Sequence, residues 1–267
     1  MSALLAVALG LVIGLVIGGL GGGGGVLTVP ALVHLLGEGA AQAVTGSLVI
    51  VGVSSVAGLV SHARAGAVRW RTGLVLGAVG IGSAYLGTSV GVRASDRVIL
   101  VCTAGFMALA GLAMLMRGGD RDTGTDGPGG GGTAVAVRVP RRVVVALRTV
   151  AVGVVAGFLT GFLGVGGGFV LVPAMVIALG LPVPAAIGTS LLVIVLNSAT
   201  ALVSRAGRVD VDWSVVGPFT AAALVATLVG ARVSRRLPST TLSRAFGALL
   251  LAVAVLVAVL NLTGLAD

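Results

Sequence analysis

Two glycine runs, each closed by a proline, hold the backbone most able to meet a ligand. The first is Gly21-Gly22-Gly23-Gly24-Gly25-Val26-Leu27-Thr28-Val29-Pro30. The second is Gly164-Val165-Gly166-Gly167-Gly168-Phe169-Val170-Leu171-Val172-Pro173. Both interrupt strongly apolar stretches. Unpaired N–H and C=O groups cannot face lipid, where each costs several kcal/mol. A glycine break at membrane depth must therefore line a cavity or pack on protein. The amides that open the following helix carry positive partial charge and favour anions. Glycine also lets a ligand come close to the backbone. The expected ligand-binding glycines are Gly22, Gly23, Gly24 and Gly25 in the first run, with Gly166, Gly167 and Gly168 in the second. Pro30 and Pro173 are expected in the first turn of the restarted helices, where a missing N–H costs nothing, and Thr28 is expected to cap the first of them.

Neutral polar side chains follow each run. Ser47, Ser54 and Ser61 are seven apart and share one face of a helix. Ser190, Asn197 and Ser204 repeat that spacing, with Thr189 and Ser198 nearby. Hydroxyls and amides of this kind can hydrogen-bond an oxyanion in a dry pocket, and they equally bond helix to helix. The first role is expected for Ser47, Ser54 and Thr189, and both stay open for Ser190 and Asn197. Ser61 and Ser204, near helix ends, fit the second. Every acidic residue, including Glu38, Asp96, Asp210 and Asp212, lies outside the apolar spans. His34 and His62 sit at segment ends and read as interfacial. A neutral cavity with helix-start amides suits an anion better than a cation. No metal site or cofactor is expected, and scattered titratable groups argue against an enzyme.

The elements that must position these residues are membrane helices. The chain has 267 residues, 57% of them hydrophobic and 9% charged, with a mean hydropathy of +1.17. A soluble domain has roughly 25% charged residues. The fold class expected is an all-α polytopic membrane protein whose partners are the lipid bilayer and a small anionic solute. The net charge of +9 comes from 17 arginines in short loops and no lysine. That placement follows the positive-inside rule and does not point to nucleic acid. Met1 to Leu20 lacks the charged start of a cleaved signal peptide and is expected in the mature chain. Cys102, the single cysteine, lies in an apolar run and reads as a packing residue.

A fixed offset of 143 residues relates the two prolines, Ser47 to Ser190 and Trp70 to Trp213. It also relates Gly10, Gly14 and Gly18 to Gly153, Gly157 and Gly161, whose spacing fits a small-residue packing face. Two homologous halves are expected at 1–116 and 143–267, joined by a flexible, cytoplasmic linker over 117–142. Each half holds a Gly-broken segment and three further spans, near 43–60, 72–92 and 97–116, then 185–203, 213–231 and 242–262. The arm from Val26 to Leu36 is about 16 Å long at ~1.5 Å per residue, half of a hydrocarbon core of about 30 Å. The broken segment either crosses or returns. If it crosses, the arginines divide 11 to 6 between the two faces, in eight crossings and two parallel halves. If it returns, they divide 13 to 4, in six crossings and inverted halves. The positive-inside rule prefers the second.

At these residues the chain resembles the sulfite exporter TauE/SafE family. The resemblance rests on Gly19–Pro30 and Gly161–Pro173, on Ala186-Ile187-Gly188-Thr189-Ser190 with Asn197-Ser198, and on Val209-Asp210-Val211-Asp212-Trp213. It implies a bacterial-type plasma-membrane permease that moves sulfite, sulfonates or related organic anions, commonly outward. The first half departs from the second, with Thr45-Gly46-Ser47 in place of Gly-Thr-Ser and with Ala67 and Arg69 in place of Asp210 and Asp212. A channel-like pore and a non-transport assembly subunit are the alternatives. A homo-oligomer is compatible with the sequence but not specified by it.

Overall fold

The structure, a computed structural model, describes residues 2–91, 96–117, 141–163, 168–205 and 211–262. Most of these are helical, and no strand occurs among them. In lipid a helix satisfies its own backbone, which is why uninterrupted apolar runs become helices here. α1 (Ser2–Leu20) leads into a 3₁₀ turn (Gly22–Gly24), α2 (Gly25–Pro30) and a π turn (Ala31–Leu35). Then come α3 (Ala40–Arg64), α4 (Trp70–Gly91) and α5 (Asp96–Arg117). The second series is α6 (Arg141–Leu163), α7 (Gly168–Ala178), α8 (Val183–Arg205), α9 (Trp213–Ser234) and α10 (Ser239–Leu262). Helices α3, α4, α8, α9 and α10 are long and apolar enough to cross a membrane.

The helix restart differs from the sequence expectation. Helical structure resumes at the glycines themselves, so Pro30 ends α2 and Pro173 lies inside α7. Lacking an N–H, Pro30 cannot close its α-helical bond, and the ladder widens into the π turn that follows. Thr28 caps nothing: its hydroxyl donates to Gly24 O at 3.1 Å, one turn back. Cys102 is exposed, not packed. His34 is exposed, whereas His62 is buried at 1%.

Close backbone approaches fix which way each helix runs. A Cβ at Gly10 would fall 2.6 Å from Phe219 O, one at Gly14 would overlap Ala223, and one at Gly18 would overlap Thr227. So α1 and α9 run in the same direction, and Thr227 Oγ1 donates to Gly14 O at 3.0 Å. Gly157 against Gly80 and Gly161 against Ala84 make α6 parallel to α4. The spaced glycines are thus a packing face, and they let helices approach within reach of each other's carbonyls. Gly46 beside Val216 and Gly58 beside Thr227 make α3 parallel to α9. Gly73 beside Leu192 and Gly77 beside Leu196 make α4 parallel to α8. Gly52 beside Ser198 and Gly58 beside Leu191 make α3 antiparallel to α8. Gly111 beside Gly247, with Ser243 Oγ donating to Met114 O at 2.7 Å, makes α5 antiparallel to α10.

It follows that α1 and α3 run the same way, as do α6 and α8. The chain between each pair must return. In the first case Gly24 folds back beside Ile13 and Ile17 of α1. Both returning arms end alike. Gly37 and Gly180 take positive φ values of 74° and 64°. Beyond them Glu38 N donates to Leu32 O at 3.0 Å, and Leu181 N to Met175 O at 3.2 Å. Each amide reaches six residues back, one residue further than the six-to-one bond of a Schellman ending, and the two bonds stand 143 residues apart. Arg235 Nη1 donates to Ser61 O at 3.4 Å, so the ends of α3 and α9 share one end of the bundle. Glu38 and Asp212 interact electrostatically at the other end.

Candidate functional site

The two returning arms meet at Gly22 and at Gly168, the first described residue of the second arm. A Cβ at Gly22 would overlap Gly168 Cα, and one at Gly168 would overlap Gly22 Cα. Ile194 Cδ1 stands beside both positions, 2.6 Å from the first and 2.8 Å from the second. Ile194 is the middle residue of α8, so this seam lies level with the middle of that helix. Gly25 faces Val51, near the middle of α3, at 3.6 Å.

The residue that turns the chain into the first arm is Gly21. Its φ of 77° and ψ of −138° belong to a region only glycine adopts readily. Its Cβ would fall 2.8 Å from Ser190 Oγ. No side chain caps the 3₁₀ turn or α2 that follow. Gly21 was not singled out from the sequence, since nothing in a run of five glycines marks the one at the bend.

On α8, Ile187, Ser190 and Ile194 touch Gly21 and Gly22. Asn197 continues that stripe by helical spacing. On α3, Ser47, Val51, Ser54 and Gly58 form the corresponding stripe, and Val51 lies against Gly25. Ser47 and Ser190 are buried, and each donates to the carbonyl three residues back, Val44 O and Ile187 O, both at 2.8 Å. Ser54 Oγ, Ser55 Oγ and Asn197 Oδ1 are buried without a hydrogen-bond partner. A buried polar atom left unpaired costs roughly 1–3 kcal/mol. Three of them lie on the facing helices α3 and α8. Ser55 escaped the sequence reading because it lies off the seven-residue stripe, toward α8.

Other expected residues have partners away from the seam. Thr189 Oγ1 accepts from the Arg69 amide at 3.1 Å, on the side facing α4. Gly23 faces Phe246 and Leu249 of α10, and Gly24 closes the arm against α1. Both make room for packing. Gly166 and Gly167 lie outside the described residues. Among the described residues no group of three His, Cys, Asp or Glu is placed to hold a metal.

Glu38 and Asp212 lie outside the helices, at one end of the bundle. Asp212 caps α9. Its carboxylate accepts from the Ser214 hydroxyl at 2.6 Å and the Ser214 amide at 2.9 Å, which hold it below the usual carboxylate range. Burial, and then the Asp212 charge, push Glu38 up.

The chain is similar to known proteins over nearly its whole length. The model of the family described as Sulfite exporter TauE/SafE matches residues 6–257. A "Probable membrane transporter protein" of Xylella fastidiosa is 32% identical over 260 residues, covering 95% of this chain and 91% of the relative. The "Probable membrane transporter protein YunE" of Bacillus subtilis is 25% identical over 257 residues, covering 91% and 92%. A probable membrane transporter protein of Methanocaldococcus jannaschii is 27% identical over 205 residues, covering 75% and 71%. No solved structure matches the chain significantly. With a family match of that extent on a bundle of membrane-length apolar helices, the chain belongs to the sulfite exporter TauE/SafE family of multi-pass membrane transporters.

Proposed function

We propose that this transporter carries small oxyanions, sulfite or organosulfonates, outward across a bacterial-type plasma membrane, with the substrate at the glycine seam. One observation carries the reading. Two returning arms meet at Gly22 and Gly168 against Ile194 of α8, and the facing helices α3 and α8 carry Ser54, Ser55 and Asn197, whose buried polar atoms lack partners. Two helix starts directed at one place concentrate positive partial charge there without any cationic side chain. Serine hydroxyls and the Asn197 amide can then donate to the oxygens of a sulfite or sulfonate.

The proposed architecture is an inverted repeat. Each half contributes a hairpin and three crossings, with α5 as the third of the first half. The helix directions support this, as do the recurrence of the arm-ending backbone bonds and serine bonds at one offset and the contact of Arg235 with Ser61. In such transporters the site lies between repeats and access alternates by rocking one against the other. The arginine-rich end, where α3 and α9 finish, is then cytoplasmic.

Flux into proteoliposomes tests the reading, with sulfite, thiosulfate, taurine, sulfoacetate and chloride as the panel. Saturable flux of sulfite or a sulfonate is expected, reduced on the order of tenfold or more in Asn197→Leu. Folded protein that moves none of these anions under an imposed gradient would overturn the substrate class. Flux unchanged in Asn197→Leu would remove the site from α8.

A further inference from the structure

We propose that His62 is a proton-binding site that couples protonation to release of the α1 hairpin tip. The proposal rests on reading that tip as a moving element of the transporter. His62 stands in the last turn of α3 and is 1% exposed. Its Nε2 lies 3.2 Å from Gly18 O. A carbonyl only accepts, so Nε2 carries the proton and donates. Gly18 is among the last residues of α1, whose final carbonyls have no partner within their own helix. His62 therefore ties α3 to the end of α1, three residues before the Gly21 bend. A Cβ on Gly188 of α8 would fall 3.2 Å from His62 Cβ, so the ring stands between α1 and α8.

The other nitrogen is the unusual one. Nδ1 is fully buried and has no hydrogen-bond partner. In the neutral ring it keeps a free lone pair, the atom a proton would occupy. A buried imidazole with one nitrogen engaged and the other idle has no evident packing purpose. Ser234 Oγ, buried and also unpartnered, ends α9 at the same end of the bundle.

The charges around His62 set the direction of coupling. The Arg235 guanidinium, from the segment after α9, reaches Ser61 O, the residue before His62, at 3.4 Å. Arg64 on its own helix, Arg69 and Arg71 at the start of α4, and Arg232 of α9 are exposed at that end. α1 presents only Gly18, and α8 presents Gly188. Among the described residues, Glu38 and Asp212 lie at the opposite end, and α5 starts there with Asp96. With the tip docked, a proton on Nδ1 would leave a charge enclosed at 1% exposure, with no carboxylate among the described residues at this end of the bundle, and a buried charge without a counter-ion is costly. A proton taken from water onto Nδ1 gives an imidazolium that is more stable once α1 draws away and water enters. Proton binding and tip release then favour each other, and by linkage the effect is reciprocal. Histidine suits this role because its ordinary pKa lies in the physiological range.

The test needs no substrate. Hydrogen exchange of the amides in 20–27 is followed from pH 8 to pH 5.5 in the full-length protein in nanodiscs, corrected for intrinsic exchange chemistry. In wild type the exposed fraction should rise by up to about tenfold per pH unit over the titrating range, the limit for one linked proton. His62→Gln keeps an amide N–H where Nε2 stands but cannot take up a proton, so its profile should be flat. A flat profile in wild type, or an equal rise in His62→Gln, overturns the proposal. His62→Asn is run alongside in case the glutamine disturbs the fold. Failure here leaves the anion panel untouched, and failure of every anion in that panel leaves this exchange result standing.

Discussion

A single methyl group at Gly22 should stop this transporter, while one at Gly25 should not. The Cβ of Gly22→Ala would overlap Gly168 Cα and lie 2.6 Å from both the Gly168 carbonyl carbon and Ile194 Cδ1. Carbon atoms rest at about 3.5–4.0 Å, so the two arms must part by about 1 Å. The isoleucine methyl can rotate away, but the Gly168 backbone cannot. Overpacking of that kind costs about 1–3 kcal/mol. A cost of ~2 kcal/mol charged only to conformations in which the arms touch shifts their population by ~30-fold. Flux should fall on the order of tenfold or more, with a lower melting temperature. Gly25 offers the control within the same run. Its φ of −61° is helical, and an added Cβ meets only Val51 methyls at 3.6 and 3.7 Å, ordinary contact. Gly25→Ala should leave flux within about twofold and melting unchanged or raised, since alanine is favoured over glycine in a helix by roughly 0.5–1 kcal/mol. Proteoliposome flux and thermal denaturation in detergent read both variants. If the two alanines behave alike, in either direction, the seam is not where the backbone geometry puts it.

Two more outcomes follow from the same geometry. In a Cys102→Ser background, single cysteines at Arg64 and Arg235 should react with an impermeant maleimide from one side of the membrane, and cysteines at Glu38 and Asp212 from the other. Labelling of positions 64 and 235 from opposite sides would contradict the returning arms. Asp212, held low by Ser214, contributes stability that is in place above the ordinary Asp range, near 3.9, and is lost as pH falls through its lowered value. The melting temperatures of wild type and Asp212→Ala should therefore differ at neutral pH and converge on acidification, as read by a pH series of melts.

The helices were legible because lipid makes hydrophobic length nearly sufficient. α4, read as 72–92, spans Trp70–Gly91, and α8, read as 185–203, spans Val183–Arg205. The spaced glycines were legible for a related reason. Three small residues one turn apart make a groove, and Gly10, Gly14 and Gly18 receive α9 in it. What escaped was set by partners distant in the chain. Thr189 looks the same as Ser190 in sequence, yet the Arg69 amide, 120 residues earlier, takes its hydroxyl. His62 looked interfacial because it ends a span, but it is enclosed by α1, whose Gly18 carbonyl lies 44 residues before it. Pro30 misled for a local reason. Glycine can itself be helical, so the helix began earlier than the first residue with a preference for it.

The clasp of α1 on α9, mirrored by α6 on α4, has a consequence for how the protein is made. α4 is already in place when α6 emerges from the ribosome, so the second clasp closes on a waiting partner. α1 has no such partner. About 200 residues separate it from α9, and at ~5–20 residues per second it must wait on the order of ten seconds or more. Through that interval its glycine face, shaped to admit another backbone, is open to lipid and to any other small-residue helix in the membrane. Biogenesis of this fold therefore passes through a state in which α3 can already meet the first hairpin while the glycine face of α1 still awaits α9.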